Sequence, residues 1–545
     1  MIFTDFPAVD PAAKPSFKDA VGCKVWLESQ PLTNAQALHL EITHQLDLLS
    51  RSRVPPRERL KILEQLREMV AFVASELTRK YRGKAVPLSP LEQDARDKEL
   101  ALWQLFGLIY RQCMKAMIER DASVADLSAM ITQRSLHCTA MQIISCGHAY
   151  SPVPAEFWTM LHELYAMSEG MGIAQKRIKD ALNLGDGSSS CTAIFAKVLL
   201  LELADPQKLS SRQLLQIDRW LDKWAAKITF SKERPPTPTL PMIAVDLAGE
   251  TGAALLSGQV YRDQRFLDLE KLAISMRRRI KFLRGGGNAT ELDLGEDCVQ
   301  PTCEAMLSVL YQRWCEAPPP RASARSSSGE TAQLCFGFPA LYYFLSNHTI
   351  FKQPGETRDV SPQAAADMQM YGYVTERTKK MMSAQQVFEQ ESWTVLDRST
   401  GGFRLIRKGG GERISQNQLL AVRSSEAEGF ALAVVRWLSA TARDEIEIGV
   451  RTLPGDITAL SGRPENLNTL LSNPFVPVFG LTSPEMENRE TGNKETLILP
   501  QGWFQSGKRI QVYDGQLETL KLKTLLEKGA NFDQVSFEAA RPDHR

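Results

Sequence analysis

From about Asp19 the apolar positions fall at helical spacing: Val25, Trp26, Ala37, Leu38, Ile42, Leu46 and Leu49 recur along one face, with Asn34 placed as a cap. Pro55-Pro56 breaks the pattern. Arg57–Lys80 then reads as an amphipathic helix with Leu60, Leu63, Leu66, Val70, Val73 and Leu77 on its buried side. Further helices are predicted over 91–120, 126–150, 154–171, 193–203 and 211–228, with a short one over 175–181. Residues 1–18, rich in Pro and Ala, read as an extended segment, and 19–233 as an all-α domain. The run RPPTPTLP (234–241) marks a boundary. Residues 240–317 read as a mixed, mainly helical connector, with a strand over 242–246 and helices over 267–283 and 302–316.

The period then changes from helical to two. TAQLCFGF (331–338) predicts a strand, and four more follow over 393–396, 403–406, 419–423 and 430–438. A fifth, 445–450, alternates charged and apolar side chains. A β-barrel over 318–455 is expected, interrupted by an insertion (339–391) with a short helix over 340–345 and otherwise polar sequence of a kind expected to be mobile. Strand patterns over 475–481, 495–499, 508–512, 519–525 and 534–538 predict an additional small β module within 466–545. The fold class is thus multidomain α+β: helices first, then a C-terminal β-barrel and the added module.

Composition narrows the partners. With 43% hydrophobic and 24% charged residues and a net charge of +1, no large field favours a nucleic-acid polymer or an anionic membrane. No apolar run is long enough to span a bilayer, and the N-terminus lacks the order of a signal peptide, so a cytoplasmic protein without membrane insertion is expected. Nine scattered cysteines read as reduced, buried thiols.

The helical half offers weak chemistry. The loop LGDGSSS (184–190) lacks the Lys of a P-loop and follows no strand, so it reads as a plain loop. The basic residues between Lys271 and Arg284 read as the wet face of a helix whose buried side is Leu272, Met276, Ile280 and Leu283. Cys298, Cys303 and Cys315 lack zinc-site spacing and read as buried thiols. Cys146-Gly147-His148 sets a thiol beside an imidazole in sequence, but such neighbours point apart on a helix. With seven His, no HExxH and no GxSxG, no catalytic set, cofactor or metal is expected.

One combination in the β region carries chemistry. Arg321-x-x-x-Arg325 precedes the first strand, and Asp397-x-Ser399-x-x-Gly402 forms a turn between two later ones. Each is weak alone, since Asp, Ser and Gly are common turn residues. Their order, with Arg436-Trp437 and the IGV strand behind them, resembles the PilZ domain, a six-stranded barrel that binds cyclic di-GMP. The long helical region ahead of such a domain looks like the large proteobacterial PilZ proteins of the FimW type. The resemblance implies a cyclic-di-GMP effector that relays to an unidentified protein partner through its helical domain, in surface attachment, pili or motility. It implies ligand roles for Arg321, Arg325, Asp397, Ser399 and Gly402. Guanidinium groups pair with phosphate oxygens or guanine edges, and a short acid accepts from guanine N–H groups. The hydroxyl of Ser399 can donate. Gly402 either permits close backbone approach or takes a dihedral that other residues avoid. Two alternatives stay open: an adaptor whose degenerate barrel binds no nucleotide, and an enzyme built on a deep polar pocket among the helices.

Overall fold

The computed structural model describes the chain apart from residues 318–328, 356–369, 371–387, 466–472, 483–494 and 541–545 and the single positions 1, 5, 32, 237, 257, 259, 260, 297 and 443. The described residues form two compact units, 1–320 and 321–545. In the first, helices α1 (Ala20–Glu28), α2 (Ala35–Arg51), α3 (Pro56–Tyr81), α4 (Pro90–Ile118), α5 (Ser128–His148), α6 (Ala155–Gly170), α7 (Cys191–Leu203) and α8 (Ser211–Trp224) are joined by α9 (Glu270–Arg284) and α10 (Thr302–Cys315). Their ends follow local chemistry. The Asn34 side chain accepts from the Ala37 amide at the start of α2, and Ser89 with Glu92 forms a reciprocal capping box at α4.

One apolar core runs from Ile2 to Cys315, so the segment read as a connector shares the core of the preceding helices. The Trp314 indole donates to the Leu200 carbonyl at 3.0 Å and that of Trp220 to Leu294 at 2.8 Å. The buried side of α9 is the expected one. Two details differ. No helix forms over 175–181: β1 (Ile178–Lys179) and β2 (Ser188–Ser189) pair as a hairpin instead, because the Asp180 carboxylate is drawn inward onto Arg67, at 2.6 and 3.1 Å. In place of the first residues of the helix expected from 267 lies β6, within the small sheet β3 (Thr229–Ser231), β6 (Gln264–Asp268), β4 (Ile243–Asp246), β5 (Ala254–Leu255). Cys298 and Cys303 are joined in a disulfide, which corrects the reading of those two as thiols; the seven other cysteines are free and buried.

In the second unit two six-stranded antiparallel barrels follow one another. The first comprises β7 (Thr331–Phe336), β8 (Glu391–Ser399), β9 (Gly402–Lys408), β10 (Leu419–Ser424), β11 (Ala431–Ala442) and β12 (Glu445–Thr452), closed in the order β10-β11-β12-β9-β8-β7. The second comprises β13 (Asp456–Pro464), β14 (Val476–Thr482), β15 (Glu495–Pro500), β16 (Arg509–Tyr513), β17 (Leu517–Lys528) and β18 (Phe532–Ala539), closed as β13-β14-β15-β18-β17-β16. Closure leaves neither sheet an open edge. Trp437 sits opposite Gly449, where an added Cβ would fall 1.9 Å from the indole nitrogen, so only glycine lets the ring lie across that strand.

The short helix α11 (Phe338–Leu345) follows β7 and packs between the barrels, in a core shared by Leu341, Phe344, Leu419 and Leu432 with Phe479, Leu481, Ile498 and Phe532. The Asn531 side chain accepts from the Leu419 amide at 2.8 Å and donates to its carbonyl at 3.3 Å, and the Ala530 amide donates to Asn417. The two barrels are thus fused by hydrogen bonds to the backbone as well as by apolar contact.

Candidate ligand site

The motif from Asp397 to Gly402 forms the tight turn between β8 and β9. Ser399 pairs with Gly402 across a two-residue loop. A bulge at Leu396 shifts the register just before Asp397, which therefore stands opposite Arg404. The Asp397 carboxylate lies 3.8 Å from the Arg404 guanidinium, which also bonds Glu447 on β12. The Ser399 hydroxyl donates to the Gly402 carbonyl at 3.4 Å, and the Thr452 amide donates to the Gly401 carbonyl at 3.0 Å.

Gly402 is fixed by space. A Cβ there would lie 2.1 Å from the Val450 carbonyl oxygen of β12. Of the two reasons anticipated for this glycine, close approach is the one present, and the approaching backbone is the protein's own strand.

Arg321 and Arg325 lie outside the described residues. The chain just after them is bonded to β8. The Gly329 amide donates to the Val395 carbonyl at 3.0 Å, and the Val395 amide donates to the Glu330 carbonyl at 2.7 Å. Thr331 then pairs with Thr394. Four residues beyond Arg325, the backbone is therefore bonded to the strand that carries Asp397, two residues away from it. The 71 residues between Arg325 and Asp397 (326–396) are a detour between neighbouring strands: α11 and the insertion leave from the end of β7 and return at β8.

Residues outside the sequence motif also shape this end of the barrel. Arg398 pairs with Glu426 at 2.6 Å and approaches Glu330 at 3.9 Å. Arg451, the strand partner of Gly402, reaches Glu527 of the second barrel at 2.6 Å, and Arg436 reaches the other oxygen of the same carboxylate at 2.6 Å. Alternation alone signals that such arginines face outward. It does not reveal their partners, which come from strands far away in sequence.

A model of the N-terminal domain of the cyclic-di-GMP receptor FimW matches residues 21–236, and a model of the FimW C-terminal β-barrel domain matches 474–540. The chain is FimW-like. It is 21% identical to the cyclic-di-GMP receptor FimW of Pseudomonas aeruginosa, over 97% of this chain and 92% of that protein. The first matched stretch covers the N-terminal helices, and the second covers most of the second barrel. The first barrel and its Asp397–Gly402 turn lie between the two. Among the described residues no helix is long and apolar enough to cross a membrane.

Proposed function

We propose that this FimW-like chain is a non-enzymatic cyclic-di-GMP effector of the cytoplasm, with the dinucleotide held between the 321–325 segment and the 397–402 turn of the first barrel. The observation that carries this reading is the pairing of Gly329 and Glu330 with Val395, which brings the chain leaving Arg325 onto the strand that bears Asp397. The similarity to a cyclic-di-GMP receptor along nearly the whole chain agrees with it. In this reading Arg321 and Arg325 pair with phosphate or guanine, Asp397 accepts from a guanine edge and Ser399 donates. Gly402 acts indirectly, by letting β12 close on the turn. The output is a protein partner met through the helical unit, in the attachment, pilus or motility processes implied by the PilZ resemblance.

A second reading, an adaptor that binds no nucleotide, draws on one observation. Ser399 and Gly402 both have roles within the hairpin, so their presence does not require a ligand. Calorimetry of the full chain with cyclic di-GMP separates the two. Saturable heat is expected, and its absence up to millimolar ligand would leave the adaptor. Arg325→Ala is expected to weaken binding by about 1–3 kcal/mol if its pairing is bidentate. An unchanged affinity would remove Arg325 from the site.

A further inference from the structure

The helical unit holds a cavity of about 400 Å³ between α3, α4, α5, α7, α8 and the loop that joins β1 to β2. That volume is on the order of a dozen waters at ~30 Å³ each, and it falls in the range of small-molecule sites. Its walls are mainly apolar, with Trp103, Met141, Ile144, Ile194 and Leu221 among them. Trp103 and His137 meet edge to face at 5.7 Å and give it an aromatic side.

The cavity is held open by bonds that owe nothing to a ligand. At its floor Asp180 takes two hydrogen bonds from Arg67 and a third from Gln133 at 2.7 Å, and Arg134 stands 3.3 Å away. At its rim the Asn183 side chain donates to the Asp222 carbonyl and the Leu184 amide to the Asp222 carboxylate, both at 3.3 Å. Leu184, an apolar residue, stands exposed at this mouth. The loop that read as a plain connection is the cover of a pocket.

Charge and hydrogen bonding narrow the occupant. The lining cations Lys197 and Arg82 are matched in number by Asp218 and Asp222, and Lys197 Nζ is held between the two at 2.8 and 2.7 Å. Asp180 is already spent on its arginines. Glu99 accepts from Ser145 at 2.6 Å and from Tyr81, so both of its oxygens are engaged, and burial raises its pKa. The wall thus has no cation left over for an anionic ligand, and the carboxylates beside Lys197 oppose a phosphate. His148 lines this wall, and its buried Nδ1 has no hydrogen-bond partner among the described residues.

We infer that this cavity is a second ligand site, for an uncharged heteroaromatic small molecule that stacks in the apolar part and hydrogen-bonds His148. It is distinct from the barrel site, since a cyclic dinucleotide would bring two phosphates to Asp218 and Asp222. The test is a fluorescence titration of the full chain with lumichrome, a neutral tricyclic ring bearing donors and acceptors, and with norharmane as a smaller one, the latter above its pyridinium pKa so that it too is uncharged. Saturable binding of at least one is expected. It should weaken about tenfold in His148→Leu, and similarly in Ala193→Leu, which adds bulk to the lining, with circular dichroism confirming that both variants fold. Saturating cyclic di-GMP is expected not to displace the probe, and Arg325→Ala to leave its affinity unchanged. No saturable binding of either probe, equal affinity in both folded variants, or complete displacement by cyclic di-GMP would overturn the inference. None of these results depends on whether the barrel binds its dinucleotide.

Discussion

The helical unit and the paired barrels differ in how much charge they bury. In the helices, Arg67, Arg134 and Asp180 are almost wholly buried and linked to one another and to Glu64. In the barrels most ion pairs sit on outer faces: Arg404 with Glu447, Arg398 with Glu426, and Arg436 and Arg451 with Glu527. Arg407 with Glu391, buried under the Trp393 ring, is an exception in the first barrel. A buried network fixes geometry, because removing one member strands another in a low dielectric. A surface pair exchanges partners cheaply, because water already screens it. The helical unit is therefore built to hold a shape, while the barrel rim is built from guanidinium groups whose partners can be traded.

The contrast is most exposed to failure at Arg67. Arg67→Ala should destabilise the helical unit by about 3–5 kcal/mol, because it leaves the Asp180 carboxylate buried without its main partner. Denaturant unfolding would show this, and a loss below about 1 kcal/mol would break the comparison. In the barrel the largest effect should be steric. Gly402→Ala forces a Cβ against the Val450 carbonyl and should cost about 1–3 kcal/mol in the first barrel, seen in its melting temperature. A neutral result would mean that β12 yields there.

Acid probes the buried side next. Burial lowers the His148 pKa to about 4. On acidification the unfolded chain, with an ordinary value of about 6.5, takes the proton first. The contribution of His148 is therefore complete above about pH 7 and falls progressively as pH drops from about 6.5 toward 4. Buried Glu99 and Glu202, both raised, shift stability the other way, so the informative measurement is a difference. Between pH 7.5 and 5 the wild type should lose about 2 kcal/mol relative to His148→Gln. Parallel pH profiles would refute the assignment. The smallest effect belongs to the surface. Glu527→Gln should cost about 1 kcal/mol or less, fading with added salt, since both of its arginines are partly exposed to water. A large, salt-independent loss would show that this pair behaves like the buried network.

Much of this architecture is legible in the chain. Apolar spacing gives the long helices within a few residues, because a face such as Leu60 to Leu77 has one place to go. Alternation and turn residues give the barrel strands, since a one-residue slip would turn each of them inside out. What escapes is set by distant partners. Nothing near Asp180 announces that Arg67 and Arg134 will bury it, and a short helix is the local preference there until they do. The disulfide at Cys298 and Cys303 escapes for a different reason: its partners are only five residues apart, but their spacing follows no common motif. At the candidate site the turn residues are visible in sequence, but the adjacency of β7 and β8, which erases the 71-residue gap, belongs to topology.

The bonds between Asn531 and Leu419, together with the Glu527 carboxylate shared by Arg436 and Arg451, bear on how such a chain can be recombined. Cut after residue 455, the first barrel would expose Leu419, Leu432 and Phe344 and leave two guanidinium groups without their acid. A graft of the Asp397–Gly402 hairpin into another scaffold would likewise lose the anchor that Arg451 gives its neighbouring strand. The two barrels form a single unit of exchange, to be transplanted or shuffled together.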